Sequence, residues 1–201
     1  MLFRSKNNKN MNSLFSQAIN TILYVGIPLS VFLIIFSSET YYIFFGESIE
    51  GSIILKMNAI VSIFFSANLV INTILQGMKK YKTVYINSIV GIVVNAILDI
   101  PIILLFNKIG FYPYLGTLTA TVVGLIVSIS IVTLTLKKEL DFNYKEIFTS
   151  FFKIVLYLIP SIILMFILEK YLFVSNSYFM ALVCLGISGL ITIGLYILIT
   201  Y

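Results

Sequence analysis

The chain has 201 residues, of which 60% are hydrophobic and only 10% are charged. Soluble domains carry about 25% charged residues, so this composition excludes a soluble globular protein and indicates an integral membrane protein. The formal net charge is +5, and we attribute this excess to membrane topology and expect no nucleic-acid partner. With no histidine and one cysteine, Cys184, the sequence offers no disulfide framework and no basis for a metal site or a cofactor.

Six apolar stretches follow a polar, basic lead-in at residues 1–18. Each stretch has close to the ~20 residues that a helix needs to cross ~30 Å of hydrocarbon. None alternates between apolar and polar residues, as the strands of a transmembrane β-barrel do. We therefore predict an all-α, polytopic membrane protein with spans at about 19–38, 53–75, 84–106, 114–136, 148–168 and 178–200.

Lysine and arginine are distributed unevenly between the predicted loops. Cytoplasmic loops carry an excess of both residues. If the N-terminus is cytoplasmic, ten of them lie inside and three outside, so both termini are predicted to be cytoplasmic. The inner set is Arg4, Lys6, Lys9, Lys79, Lys80, Lys82, Lys137, Lys138, Lys145 and Lys153, and the outer set is Lys56, Lys108 and Lys170.

Three prolines lie in the first, third and fifth spans, at Pro28, Pro101 and Pro160. Proline removes a backbone donor from a helix, so we expect a kink at each position, serving either packing or a hinge. Gly77 precedes the basic turn GMKKYK at 77–82 and is expected to cap the second span.

The second span is unusually polar for a membrane helix. It carries Lys56, Asn58, Asn68 and Asn72. Amides in a bilayer form hydrogen bonds between helices, worth ~0.6–2 kcal/mol each. Two interpretations therefore stay open: the span either bonds to its neighbours or lines a hydrated cavity.

The third span has a polar stripe on one face. Asn87, Gly91, Asn95 and Asp99 follow one another at four-residue spacing, which places them on one side of a helix. A carboxylate at membrane depth is costly and must be buried against protein or water. Asp99 can bind a coupling cation or proton, pair with Lys56, or serve as a structural hydrogen-bonding node.

The fourth span repeats small residues on one face, and the last two spans differ from the others in having few polar residues. The small residues allow close helix packing, and the short connection at 107–113 makes the third and fourth spans a hairpin. We divide the chain into a four-span part at 19–136, a charged cytoplasmic linker at 137–147, and two additional helices at 148–201. The small residues are Gly116, Ala120, Gly124 and Ser128.

Ordinary catalytic groupings are missing from the sequence. It contains no Ser-His-Asp set and no GxxxxGK[ST] phosphate loop, and only Asp99 is plainly a carboxylate within the membrane. We therefore predict no enzyme. Polar groups in the bilayer and a movable helix bundle suffice for a secondary transporter.

Three motifs carry a family resemblance: LQGMKKYK, INSIVGIVVNAILDIPIILLF and IGFYPYLGTLTATVVG. They resemble the C-terminal half of the multidrug/oligosaccharidyl-lipid/polysaccharide exporter superfamily, in particular the polysaccharide-biosynthesis and stage V sporulation protein B branch, which includes lipid II flippases. The pattern departs from that branch at Asp99, where asparagine is more usual, and at Thr117 and Thr119, which replace alanines.

The resemblance implies a MATE-like two-lobe exporter of which this chain is a C-terminal fragment, with the N-terminal half as a missing partner. It implies alternating-access transport of a lipid-linked saccharide across the bacterial cytoplasmic membrane. The alternatives are a multidrug/cation antiporter and a structural membrane subunit that transports nothing. The pathway candidates are Lys56, Asn58, Asn68, Asn72, Asn87, Asn95 and Asp99.

Overall fold

The computed structural model describes residues 2–140, 145–172 and 178–200, and every regular element in these ranges is a helix. This confirms the all-α fold. The helices, in chain order, are α1 (Leu2–Ile35), α2 (Ser37–Phe45), α3 (Ile49–Gly77), α4 (Tyr81–Ile109), α5 (Tyr114–Leu140), α6 (Lys145–Leu172) and α7 (Tyr178–Thr200).

Six of these helices are long and apolar enough to cross a membrane, which confirms the predicted number of spans. The apolar spans lie at Ser16–Ile35, Ile49–Gly77, Tyr81–Ile109, Tyr114–Leu134, Phe148–Tyr171 and Tyr178–Thr200. Residues 141–144 of the predicted linker lie outside the described residues. The helices continue through Pro28, Pro101 and Pro160, and a hinge at these prolines stays a prediction.

Helix α2 is an element that the sequence pattern did not predict. It follows α1 after a single turn residue, Phe36, which is completely buried. The backbone hydrogen bonds of the helix continue across this residue. The N–H of Phe36 donates to the Phe32 carbonyl, and the N–H of Thr40 donates to the Phe36 carbonyl, both at 2.9 Å. Gly46 ends α2 with φ +87°, a conformation that glycine adopts at little cost.

The turn between α3 and α4 contradicts the expectation that Gly77 caps the second span. Gly77 is the last helical residue, and the left-handed residue is Lys79, with φ +59°. The backbone N–H of Lys79 donates to the Gln76 carbonyl, and that of Lys80 donates to the Leu75 carbonyl, each at 2.9 Å. These bonds satisfy the last carbonyls of α3, and the residue in the left-handed conformation is a lysine in place of the expected glycine.

The chain divides into two compact units, and the division falls inside α1 and α3. The first unit comprises Met1–Ile22 and Val61–Thr149, and the second comprises Leu23–Ile60 and Ser150–Tyr201. The division by function into four spans, a linker and two further helices stays a prediction.

The first unit is built on the α4–α5 hairpin. A β-carbon at Gly116 would lie 2.8 Å from the backbone Cα and N of Ile103, and one at Gly124 would lie 2.8 Å from the Gly91 carbonyl oxygen. Ala120 and Ser128, on the same face of α5, are completely buried. The small residues of α5 therefore bring the two backbones together on the polar stripe of α4.

The second unit packs α2 against the start of α7 and buries apolar side chains of the helices that belong to it. Tyr42 and Tyr178 stack with ring centroids 4.4 Å apart and planes 6° apart. Its core includes Phe36, Ala59, Ile154, Leu158, Met165, Ala181 and Cys184.

Candidate functional site

Asn87 is the centre of a hydrogen-bonded cluster in the first unit. Its side chain is completely buried, and its amide nitrogen donates to the side-chain oxygens of Asn68 at 2.9 Å and Asn72 at 2.7 Å. The Ser128 hydroxyl donates to the Asn87 side-chain oxygen. Both N–H groups and the oxygen of the Asn87 amide are therefore satisfied, and the cluster joins α3, α4 and α5.

The backbone packing of α4 and α5 makes this cluster possible. Gly91 lies one turn after Asn87, and a β-carbon there would lie 3.4 Å from the Ser128 side chain. The absence of a side chain at Gly91 and Gly124 lets α5 approach closely enough for Ser128 to reach Asn87. The small-residue face and the polar stripe are therefore two halves of one interface.

A cleft of about 450 Å³ opens beside the cluster and is lined by α3, α4 and α5. Asn68, Asn72 and Asn95 contribute amides to its wall. Because the oxygens of Asn68 and Asn72 accept from Asn87, their nitrogens remain as donors toward the cleft. The wall also contains the polar residues Thr73, Gln76, Ser88, Thr121 and Ser128.

Asn95 and Asp99 follow on the α4 stripe and differ in their surroundings. Asn95 donates to the Thr121 hydroxyl across 3.3 Å, and Thr121 in turn donates to the Thr117 carbonyl at 2.9 Å. Asp99 is half-buried, and its Oδ1 atom is buried without a hydrogen-bond partner among the described residues. A buried acceptor without a hydrogen-bond donor costs free energy, because the oxygen has lost its water and gained no partner.

The structure does not bring all seven sequence candidates to one site. Asn68, Asn72 and Asn95 line the cleft, while Asn87 lies behind them as a buried node. Lys56 and Asn58 belong to the second unit. Lys56 lines a different cleft, and Asn58 is exposed and bonds to the Ile54 carbonyl of its own helix at 3.0 Å.

Several residues of the cleft are absent from the seven sequence candidates. Gln76 continues the α3 face of Asn68 and Asn72 at four-residue spacing, so the helical period could have identified it. Thr121 gave no such signal, because its role depends on which residue of α4 it faces. The cleft presents amides and hydroxyls, which are groups that hydrogen-bond to sugar hydroxyls or ordered water.

The sequence of this chain matches the model of a known protein family. The model of the lipid II flippase MurJ family matches residues 2–184. The chain belongs to the MurJ family. Membership agrees with the superfamily resemblance read from the motifs around the α3–α4 turn and the α4–α5 hairpin.

A solved structure of the lipid II flippase MurJ in an inward closed conformation has a similar fold. The TM-score is 0.70 at 23% sequence identity. The match covers 98% of this chain and 40% of the MurJ chain, so this chain spans less than half the length of that relative. A comparison of the sequence with curated proteins gives no match.

Proposed function

We propose that this chain forms part of a flippase that moves a lipid-linked saccharide precursor of peptidoglycan across the bacterial cytoplasmic membrane by alternating access. Membership in the MurJ family carries the proposal. Transport of this kind is movement between two faces of a bundle and requires no covalent chemistry from the chain.

The physical demands of such a substrate match the first unit. The saccharide head needs a hydrated cavity with hydrogen-bonding groups, while the lipid tail stays in the bilayer. The α3–α5 cleft provides amides from Asn68, Asn72 and Asn95 beside apolar side chains such as Phe65 and Leu125. In this proposal the cleft is one wall of the head-group cavity, and the remaining lobes of the transporter supply the opposite wall.

Asp99 and Asn95 are proposed to act on the coupling step. Asp99→Asn removes the charge, and Asn95→Ala removes the donor to Thr121. The assay uses a chimaera in which this chain replaces the segment it matches in a lipid II flippase, reconstituted in proteoliposomes with a fluorescent lipid-linked saccharide. We expect each variant to lower flux on the order of tenfold, which corresponds to about 1.4 kcal/mol of lost stabilisation in the rate-limiting step.

The matched control for that assay is Ser130→Ala. Ser130 is exposed on α5 and bonds to the Ile126 carbonyl of its own helix at 2.7 Å. Its variant should transport at the wild-type rate. Unchanged flux in both the Asp99 and Asn95 variants, at equal protein abundance, would remove these residues from the mechanism.

The chain by itself is expected not to flip the saccharide lipid, because a head-group cavity between lobes needs both walls. The 201-residue chain reconstituted alone should give the rate of protein-free vesicles. Flipping above that rate would show that this chain forms a complete pathway, alone or as an oligomer.

The proposed orientation places the α3–α4 turn in the cytoplasm. Lys82 and Lys108 are exposed near opposite ends of α4, so they report on opposite sides of the membrane. In a Cys184→Ser background, a membrane-impermeant maleimide added to intact spheroplasts should label Lys108→Cys and leave Lys82→Cys unlabelled until the membrane is opened. The reverse pattern would invert the topology.

A further inference from the structure

A second cleft, of about 580 Å³, lies in the second unit, where α2 and the start of α3 meet α7. None of its lining residues belongs to the α3–α5 cleft. Its wall includes Ser38, Glu39, Tyr42, Glu47, Ser52 and Lys56. The cleft therefore combines two carboxylates, one ammonium group and several hydroxyls.

One carboxylate oxygen of Glu39 in this cleft lacks a hydrogen-bond partner among the described residues. This atom, Oε2, is buried and accepts no hydrogen bond from the part of the chain that the structure describes. Burial raises the pKa of the Glu39 carboxyl above its ordinary value and outweighs a backbone hydrogen bond of Glu39, which lowers it. The Glu169 carboxylate raises this pKa further, while Lys56 lowers it. A carboxylate in such surroundings is stabilised by a cation that also donates hydrogen bonds.

The other charged groups determine which cation fits. Glu47 adds a second negative charge to the wall, and Lys56 is the positively charged group among the lining residues. Ser52 is buried and donates to the Ile49 carbonyl at 2.8 Å, which leaves its oxygen as an acceptor. A ligand with an ammonium group beside an anionic group would satisfy Glu39 and Lys56 together.

Aromatic side chains place this cleft at the depth of lipid headgroups. Phe44, Phe45 and Phe179 are 72%, 77% and 76% exposed, and Tyr42 stacks on Tyr178 beside them. Tyrosine rings concentrate at the membrane–water interface, and Tyr42 and Tyr178 are of this type. Half of its lining residues lie between the end of the first span at Ile35 and the start of the second at Ile49, and the others lie in the first two turns of the second span and at the start of the last span.

We propose that this second cleft binds a phosphoethanolamine group, with its ammonium on Glu39 and its phosphate facing Lys56. The aromatic surroundings favour a membrane aminophospholipid as the source over a soluble phosphoethanolamine. Choline carries the same charge as ethanolamine and lacks N–H donors, so it cannot make the hydrogen bonds that the buried carboxylate oxygen requires.

The test compares two lipids on the same protein. The 201-residue chain is purified from vesicles that contain equimolar phosphatidylethanolamine and phosphatidylcholine with identical acyl chains, and the retained lipids are counted by native mass spectrometry. We expect phosphatidylethanolamine to be enriched about three- to fivefold, which is within the range of one net hydrogen bond. Glu39→Gln should abolish the enrichment.

The control variant is Glu50→Gln, an exposed carboxylate in the first turn of α3 that lies outside the cleft wall. It should keep the wild-type enrichment. Soluble O-phosphoethanolamine forms the second arm and is titrated against the lipid-depleted chain.

Binding of the soluble compound without lipid enrichment would support the phosphoethanolamine site and assign it a soluble ligand. Equal retention of both lipids together with no binding of the soluble compound would overturn the proposal. Because neither arm measures transport, this result is independent of the proposed flippase function.

Discussion

Replacing Gly124 by alanine is expected to lower the free energy of unfolding by about 1–3 kcal/mol, the usual cost of overpacking a tight interface. The added β-carbon would lie 2.8 Å from the Gly91 carbonyl oxygen and 3.3 Å from the Asn95 β-carbon. Both contacts are to α4, so the two helices must move apart. Chemical unfolding of the chain in detergent micelles, followed by circular dichroism, measures the change.

Two further glycines calibrate that result. Gly116→Ala should be at least as costly, because its β-carbon would meet the backbone of Ile103 at 2.8 Å. A β-carbon at Gly194, in α7, would meet no atom within 4 Å. Gly194→Ala should therefore change the free energy of unfolding by less than about 0.5 kcal/mol or increase it, since alanine favours helix. Equal effects at Gly124 and Gly194 would contradict the close contact between α4 and α5.

Replacing Asn87 by alanine is expected to cost about 1–3 kcal/mol. The substitution removes the donor to the half-buried oxygens of Asn68 and Asn72 and the side-chain acceptor of the buried Ser128 hydroxyl, which keeps the backbone carbonyl of residue 87 at 3.2 Å. The same unfolding measurement reports the loss. A double-mutant cycle with Ser128→Ala should give a coupling energy, because the two side chains are in direct contact.

Asn58→Ala is the matched control for Asn87. It removes the same side chain from another membrane helix, but Asn58 is exposed and its amide donates to the Ile54 carbonyl of its own helix. Its variant should stay within about 0.5 kcal/mol of the wild type. A loss at Asn58 as large as that at Asn87 would show that the α3–α4–α5 cluster is not the source of the stability.

The two experiments bear on one interface, in which α3, α4 and α5 meet. The polar stripe of α4 is buried at Asn87, where it meets α3 and α5, and reaches the cleft at Asn95. The buried end fixes the three helices to one another. The open end presents donors in a fixed geometry, which is the arrangement that a binding wall requires.

Hydrophobicity alone determined the number and approximate positions of the spans. A bilayer core offers no hydrogen bonds to the backbone, so ~20 apolar residues must form a helix. Because residues four apart lie on the same side of a helix, the four-residue spacing identified one polar face on α4 and one small-residue face on α5. Such patterns depend only on the helical period and on the solvent.

Only the tertiary structure decided how those faces are used. The asparagines of α4 look equivalent in sequence, yet Asn87 is fully bonded and buried while Asn95 reaches the cleft, because the glycine contacts set where α5 crosses α4. Likewise, no pattern in the sequence placed Lys56 beside Glu39. These differences arise from contacts between residues far apart in the chain, and a helical period carries no information about the partner that a face meets.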